Sequence, residues 1–146
     1  MNTPTDAFTA LALGPFPVIE PGDDLATAII RVLAETEQHL QDGDILVVAS
    51  KVVSISERRY VNLATVSPGE EALDLSARTG KSAEITQLIL DESQGNFLAT
   101  ERGPIVAWHR LGFQLTSAGI DRAGTGGAWL LPSNDDVTGR GLRLAR

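Results

Sequence analysis

The chain has 146 residues, 42% of them apolar, with nineteen acidic against twelve basic side chains and a formal net charge of −7. These values are typical of a globular domain that buries a real core, and they argue against disorder. The acidic balance makes a nucleic-acid partner unexpected, because no basic stripe is present to meet a phosphate backbone. A nucleotide is not excluded, since a metal or backbone donors can neutralise its phosphates.

Targeting and redox signals are missing from the sequence. There is no cysteine, so disulfides and thiolate metal sites are excluded. Residues 1–7 lack the basic and apolar parts of a signal peptide, and no apolar run approaches the ~20 residues that span a bilayer. We therefore expect a cytoplasmic protein that does not enter a membrane.

The first part of the chain predicts a β-α-β start. Residues 8–14 indicate a short strand that ends in a Gly-Pro turn, and Pro15, Pro17 and Pro21 keep the next segment extended. Asp23 or Asp24 is suited to cap a helix over about 24–41, where apolar residues recur at helical spacing. The apolar run Ile45 to Ala49 predicts a buried strand. This order favours a βαβ-like unit, and an antiparallel pairing stays open.

The rest of the chain predicts a helical pair followed by strands. Tyr60 to Leu63 indicates a strand, and Ser67-Pro68-Gly69-Glu70 has the pattern of a helix start. The predicted helices are 68–79, which ends at Gly80, and 82–92; their acidic residues are expected on a solvated face. The predicted strands lie near 97–100, 104–109, 112–117 and 129–131, with a glycine-rich loop over 119–127. The predicted class is therefore α/β with a mixed α+β sheet, in one domain over 1–146.

Three segments carry side chains suited to ligand binding. The first is the stiff turn that begins at Pro15, and the second is Ser50-Lys51, which follows the predicted buried strand, where ligands gather in open sheets. The third is Asp121 among glycines, a hard oxygen donor suited to magnesium or manganese. From local sequence alone, ordinary roles stay open for all three: a loop before a capped helix, a solvated lysine and a turn aspartate.

In this order and spacing, a set of segments resembles the amino-terminal part of the F420-0:gamma-glutamyl ligase family over about residues 11–146. The segments are PGDDL (21–25), GDILVVASKVVS (43–54), YVNLATVSP (60–68), ARTGK (77–81), LGF (111–113), AGID (118–121) and LLP (130–132). No piece is specific by itself; the collinear order carries the resemblance.

The resemblance implies GTP-dependent amide bond formation. GTP, with Mg²⁺ or Mn²⁺, would phosphorylate a carboxylate of the deazaflavin precursor F420-0, and the amine of L-glutamate would displace the phosphate. The implied nucleotide contacts are Phe16, Pro17, Val18 and Ile19 in the first turn, and Ser50 and Lys51 in the second segment. The implied metal ligand is Asp121.

The chain also departs from the family pattern. Pro15 stands where the family commonly has glycine, and Ile55 where it has a lysine near the nucleotide. Ala123 and Gly124 replace a serine-asparagine pair, and the sequence stops at Arg146, before the family's later acidic metal ligands. We therefore expect the chain to be inactive alone, whether it is a fragment, a split subunit completed by another chain, or a degenerate homologue kept for binding. The expected macromolecular partner is a second copy in a homo-oligomer or a complementing chain that carries the C-terminal part. The alternatives are a non-catalytic nucleotide-binding or interaction module and a purely structural α/β domain.

Overall fold

The computed structural model describes residues 9–124 and 126–131, and within them the fold is mixed α/β, as the sequence predicts. The helices are α1 (Leu25–Glu35), α2 (Ser50–Ser56), α3 (Glu70–Thr79) and α4 (Ala83–Asp91). The strands are β1 (Tyr60–Asn62), β2 (Ser93–Ala99), β3 (Ile105–His109), β4 (Gln114–Thr116), β5 (Asp121–Ala123) and β6 (Gly127–Trp129). Phe8, Thr125 and Pro132, which belong to three of the predicted segments, lie outside the described residues.

Helix α1 is shorter than the predicted 24–41. Its start is as expected, because the Asp24 carboxylate caps it by accepting a hydrogen bond from the Thr27 N–H. It ends six residues early because Glu37 adopts a left-handed conformation with φ of 54°. The Gln38 N–H then bonds the Leu33 carbonyl at 2.9 Å, which closes the helix end in a Schellman pattern. A non-glycine residue in this position gives no stop signal in the sequence.

The predicted β-α-β start is wrong, because neither residues 9–14 nor residues 45–49 form a strand. Leu46 and Val48 pack against α1, while Ile45 and Val47 point outward and are 87% and 86% exposed. The apolar run is therefore extended with only one covered face. It pairs with no strand in the part of the chain that the structure describes, so the backbone ladder that a buried strand needs does not form.

Helix α2 follows the apolar run directly, at a place where the sequence analysis predicts no helix. Its valines explain the difference: Val52 and Val53 pack on the same cluster of α1, built on Leu25 and Ile29. These β-branched residues favour strands when judged locally, and here tertiary packing overrides the preference.

The predicted helical pair is confirmed. Helix α3 ends at Gly80, whose φ of 72° is the left-handed conformation that glycine adopts without strain. Its start differs from the prediction: Gly69 rather than Ser67 is the N-cap, and its N–H bonds the Gln87 side chain on α4 at 2.8 Å.

The strands form two antiparallel three-stranded sheets, sheet A in the order β1-β6-β5 and sheet B in the order β2-β3-β4. Helix α4 packs between them: Ile89 joins the core under sheet B, and Leu88 joins the core under sheet A. The predicted glycine-rich loop is largely a β5–β6 hairpin, and the last strand begins at Gly127, two residues before its predicted start. The loop prediction was wrong because hairpin strands this short leave little apolar alternation to read.

Glu92 connects the two sheets and is an exception to the predicted solvated acidic face. Its buried carboxylate accepts hydrogen bonds from Arg59 at 2.9 Å, Arg110 at 2.9 Å and His109 at 3.1 Å. Arg59 also donates to the Leu131 carbonyl beyond β6 at 2.9 Å. Burial acts to raise the pKa of the Glu92 carboxyl, but the hydrogen bonds and charges of the two arginines outweigh it and hold that pKa below its ordinary value.

His109 is fully buried at this junction, and its burial favours the neutral form of the ring. Its Nε2 faces Glu92, and its Nδ1 accepts a hydrogen bond from the Leu111 N–H at 3.1 Å. A second ring proton, on Nδ1, would therefore point at the Leu111 N–H, which is itself a donor. Burial lowers the pKa of His109 and outweighs the attraction of Glu92. Within the described residues, no helix has the length and apolar character needed to cross a membrane.

Candidate functional site

The second and third predicted segments meet in an ion pair. Lys51 Nζ lies 2.5 Å from Asp121 Oδ2, although the two residues are 70 positions apart in the sequence. The side chains are 51% and 56% exposed, so the pair is open to solvent. An exposed pair of this kind contributes about 0–1 kcal/mol to stability, and a ligand can therefore separate its members at small cost.

A constrained turn positions Asp121 as the first residue of β5. Ser117 and Ala118, neither of them glycine, have φ values of 54° and 51°, and Gly119 follows with φ of 71°. A Cβ at Gly119 would lie 2.7 Å from Leu131 Cδ1, so glycine is required for close approach as well as for conformation. Non-glycine residues in this region cost of order 1–3 kcal/mol each, and such conformations cluster at functional sites. The strain supports a functional role for the AGID segment.

Ser50 and Lys51 occupy the first turn of α2. Both are exposed, and the Ser50 carbonyl accepts the Ser54 hydroxyl at 2.9 Å, which fixes the turn from inside the helix. Ile55, where the resemblance implies a lysine in the family, is half-buried on the same helix. Ammonium and hydroxyl groups are thus available here for an anionic ligand.

The proline turn reaches this site through α2. Ile19 packs in the cluster that includes Val52 and Val53, and the Gly22 N–H bonds the Ser56 carbonyl at 3.0 Å. In the turn itself, Pro17 is half-buried, while Phe16 and Val18 are exposed. The turn contacts α2, and Lys51 of α2 contacts Asp121. The turn is therefore connected to Asp121 through α2.

The described residues supply one candidate metal ligand. They contain no group of three His, Asp or Glu side chains that could hold a metal ion. Magnesium is usually held by one or two carboxylates together with phosphate oxygens and waters. Asp121 fits the role of one such carboxylate, but the residues around it do not form a complete metal cage.

Comparison with known proteins gives the family. The F420-0:Gamma-glutamyl ligase family matches residues 14–145. A coenzyme F420:L-glutamate ligase of Methanothermobacter thermautotrophicus is 35% identical over 130 residues, which cover 89% of this chain and 51% of the relative. The enzyme of that name from Methanosarcina mazei is 35% identical over 134 residues, covering 90% and 50%. In Archaeoglobus fulgidus, the protein of that name is 37% identical over 120 residues, covering 82% and 45%.

The chain belongs to the F420-0:gamma-glutamyl ligase family. Family membership confirms the resemblance that the collinear segments carry, and the chain spans about half the length of the curated relatives it matches. The nucleotide and metal roles of Phe16, Pro17, Val18, Ile19, Ser50, Lys51 and Asp121 remain predictions.

Two features of the structure have no clear signal in the sequence. The Glu92 junction was missed because arginines at 59 and 110 and the histidine at 109 are far from position 92 in the chain, and only the strand pairing brings them together. The contact between Tyr60 and Trp129 on sheet A was missed for the same reason. The only sequence signal for Glu92 was its charge at the end of a predicted amphipathic helix.

Proposed function

We propose that this chain provides the nucleotide-holding part of a ligase that joins L-glutamate to F420-0, with GTP as the activating nucleotide and Mg²⁺ or Mn²⁺ as the cation. The single observation that carries the proposal is the exposed Lys51–Asp121 ion pair. It combines a group suited to phosphate with a group suited to a divalent cation, on segments that match the family's sequence.

The reaction requires activation of a carboxylate, which is a poor acylating group. A carboxylate oxygen of F420-0 attacks the γ-phosphorus of GTP, and GDP leaves with the electrons of the broken P–O bond. The amine nitrogen of L-glutamate then attacks the acyl carbon, phosphate leaves, and the amine loses its proton as the amide forms. When bound, the divalent cation offsets negative charge on the phosphates.

The protein's part in this proposal is to bind and orient the phosphates. Lys51 supplies a compact positive charge for a phosphate oxygen, and Ser50 beside it supplies a hydroxyl donor. Without a nucleotide, Lys51 and Asp121 neutralise each other. A nucleotide that enters with its cation takes over both partners, and opening the exposed pair costs at most about 1 kcal/mol.

The proposal includes a second polypeptide, either a complementing chain or another copy of this one. Asp121 is one carboxylate, and further ligands are needed to hold a catalytic cation. The outward side chains of Ile45 and Val47 support this, since a bare extended segment with two exposed apolar side chains is suited to be covered by another strand.

The test uses this chain mixed with a separately expressed polypeptide that corresponds to the remaining half of a matched relative. We expect GTP hydrolysis that depends on both L-glutamate and F420-0, with Asp121→Asn abolishing it. The matched control is Asp74→Asn, which removes another exposed, ion-paired aspartate on α3. Equal activity in both variants would exclude a role for Asp121, and no activity with any such partner would refute the split-ligase proposal.

The second candidate is a non-catalytic nucleotide-binding or interaction module. Ile55 and Gly124 favour it, because the resemblance implies that they stand where the family has a lysine near the nucleotide and an asparagine that contacts it. Metal-dependent GTP binding without glutamate-dependent hydrolysis in the same mixture would select this candidate over the ligase.

A further inference from the structure

One face of sheet A combines an ion pair with an aromatic pair. In the antiparallel register, Trp129 is opposite Tyr60 on β1 and opposite Asp121 on β5. Directly paired residues project to the same face of a sheet, so these three side chains share one face, with neighbouring strands about 4.8 Å apart. Val61 and Ala128 project to the opposite face and join the core. The carboxylate of the candidate site is therefore one strand away from the aromatic pair.

An open cleft of about 570 Å³ lies against this aromatic pair, lined by Pro21, Arg58, Tyr60 and Trp129; we call it the aromatic cleft. The rings of Tyr60 and Trp129 meet edge to face, with centroids 5.0 Å apart and planes at 62°. Tyr60 and Arg58 are exposed and Trp129 is half-buried. The cleft thus offers aromatic surface and one guanidinium to a ligand.

Two glycines leave room for side chains that line the cleft. A Cβ at Gly127 would collide with the phenol ring of Tyr60, which lies across β6 at that point. A Cβ at Gly22 would collide with the guanidinium of Arg58, and Arg58 itself has φ of 57°. The Gly22 N–H also bonds the Ser56 carbonyl at 3.0 Å, so the cleft is tied to the end of α2, the helix that carries Lys51.

We infer that the aromatic cleft binds the planar heteroaromatic ring of a phosphorylated ligand whose charged end lies at Lys51 and Asp121. Planar ligand rings stack on aromatic side chains and on guanidinium groups, because every planar ring has a π-face. The strand spacing places this stacking surface beside the charged site, as a ring linked to phosphate requires. The inference rests on the proposed function for the charged end. Both the purine of GTP and the deazaflavin of F420-0 have this chemistry.

The test uses the emission of Trp129. The chain has two tryptophans, so Trp108→Phe on sheet B leaves Trp129 as the only one. This variant is titrated separately with GTP and Mn²⁺, with F420-0, and with inorganic tripolyphosphate and Mn²⁺. We expect a saturable change in emission with one ring-bearing ligand and none with tripolyphosphate. A change with GTP alone assigns the cleft to the purine, and a change with F420-0 alone assigns it to the deazaflavin.

A second variant tests the contact itself. Tyr60→Leu keeps apolar bulk over Gly127 but removes the ring, and circular dichroism checks that it folds. We expect its affinity for the ring-bearing ligand, measured by calorimetry, to fall roughly tenfold, the typical effect of losing one stacking side chain. Phe113→Ala, which removes an exposed aromatic ring between β3 and β4, is the matched control and should bind as the wild type does.

The outcomes separate this inference from the proposed function. In one outcome, GTP binds with its metal and requires Asp121, but neither GTP nor F420-0 changes the emission of Trp129, and Tyr60→Leu binds GTP with unchanged affinity. This outcome would refute ligand binding in the aromatic cleft and would leave the charged site supported. Ring binding that requires Tyr60 but is unchanged by Asp121→Asn would support the cleft and count against the proposed charged site. Equal losses in Tyr60→Leu and Phe113→Ala would also overturn the cleft.

Discussion

Replacing Glu92 with glutamine should destabilise the fold strongly, because its carboxylate is the shared counter-charge of two arginines between the sheets. The substitution leaves Arg59 and Arg110, whose side chains are 23% and 32% exposed, facing each other without a counter-charge. Its new amide N–H₂ is a donor, and it would face N–H donors that now bond the carboxylate. Breaking a buried ion pair costs ~3–5 kcal/mol, and the partial exposure of the arginines reduces this to about 2–4 kcal/mol.

The loss is measured by urea unfolding followed by circular dichroism, together with a thermal scan. For a domain of this size, a loss of that magnitude lowers Tm by roughly 10 °C. The matched control is Glu71→Gln, which removes an exposed acid from the first turn of α3 and should change the unfolding free energy by less than about 0.5 kcal/mol. A loss below about 1 kcal/mol for Glu92→Gln would refute the view that Glu92 holds the two sheets together.

Three further predictions concern pH, a helix end and the core. Because burial lowers the pKa of His109 below its ordinary value, the unfolded chain takes up its proton first, so stability should fall as pH drops below about 6.5. His109→Gln should flatten this fall in unfolding free energies measured between pH 7.5 and 5; an unchanged slope contradicts the assignment. Gly80→Ala should cost about 1 kcal/mol through its positive φ, whereas Gly124→Ala, with open space and no positive φ, should cost little. Ile29→Ala should lower the free energy of unfolding, measured in urea, by about 2–5 kcal/mol, because Ile29 is buried. Ile30→Ala, at the exposed neighbouring position, should lower it much less. Equal losses would mean that α1 buries a different face.

The sequence predicted well where local signals and tertiary packing agree. Gly80 ends α3 because its left-handed conformation is open to glycine, and Asp24 caps α1 because its carboxylate meets a free N–H; both effects act within a few residues. The strands of sheet B were predicted for a similar reason, since β-branched and aromatic residues cluster there. The family resemblance rested on the order of short segments, which survives even where the local structure was predicted wrongly.

The failures fall where the outcome depends on distant residues. Ile45 to Ala49 is apolar enough for a buried strand, but a strand also needs a partner, and sequence periodicity does not reveal one. For Asp121, chemistry predicted a hard donor, yet only the fold shows that it lies 2.5 Å from Lys51 rather than alone in a loop. The aromatic cleft depends on strand register between β1 and β6, which a few residues on each strand cannot specify.

Calorimetric titration of this chain with GTP decides whether Lys51 and Asp121 form one site for a nucleotide and its cation. We expect binding that requires Mn²⁺ and that Asp121→Asn weakens about tenfold or more, as the loss of a charge-assisted contact implies. Asp74→Asn should bind GTP as the wild type does. Binding of equal strength with and without Mn²⁺, and in all three proteins, would contradict such a site.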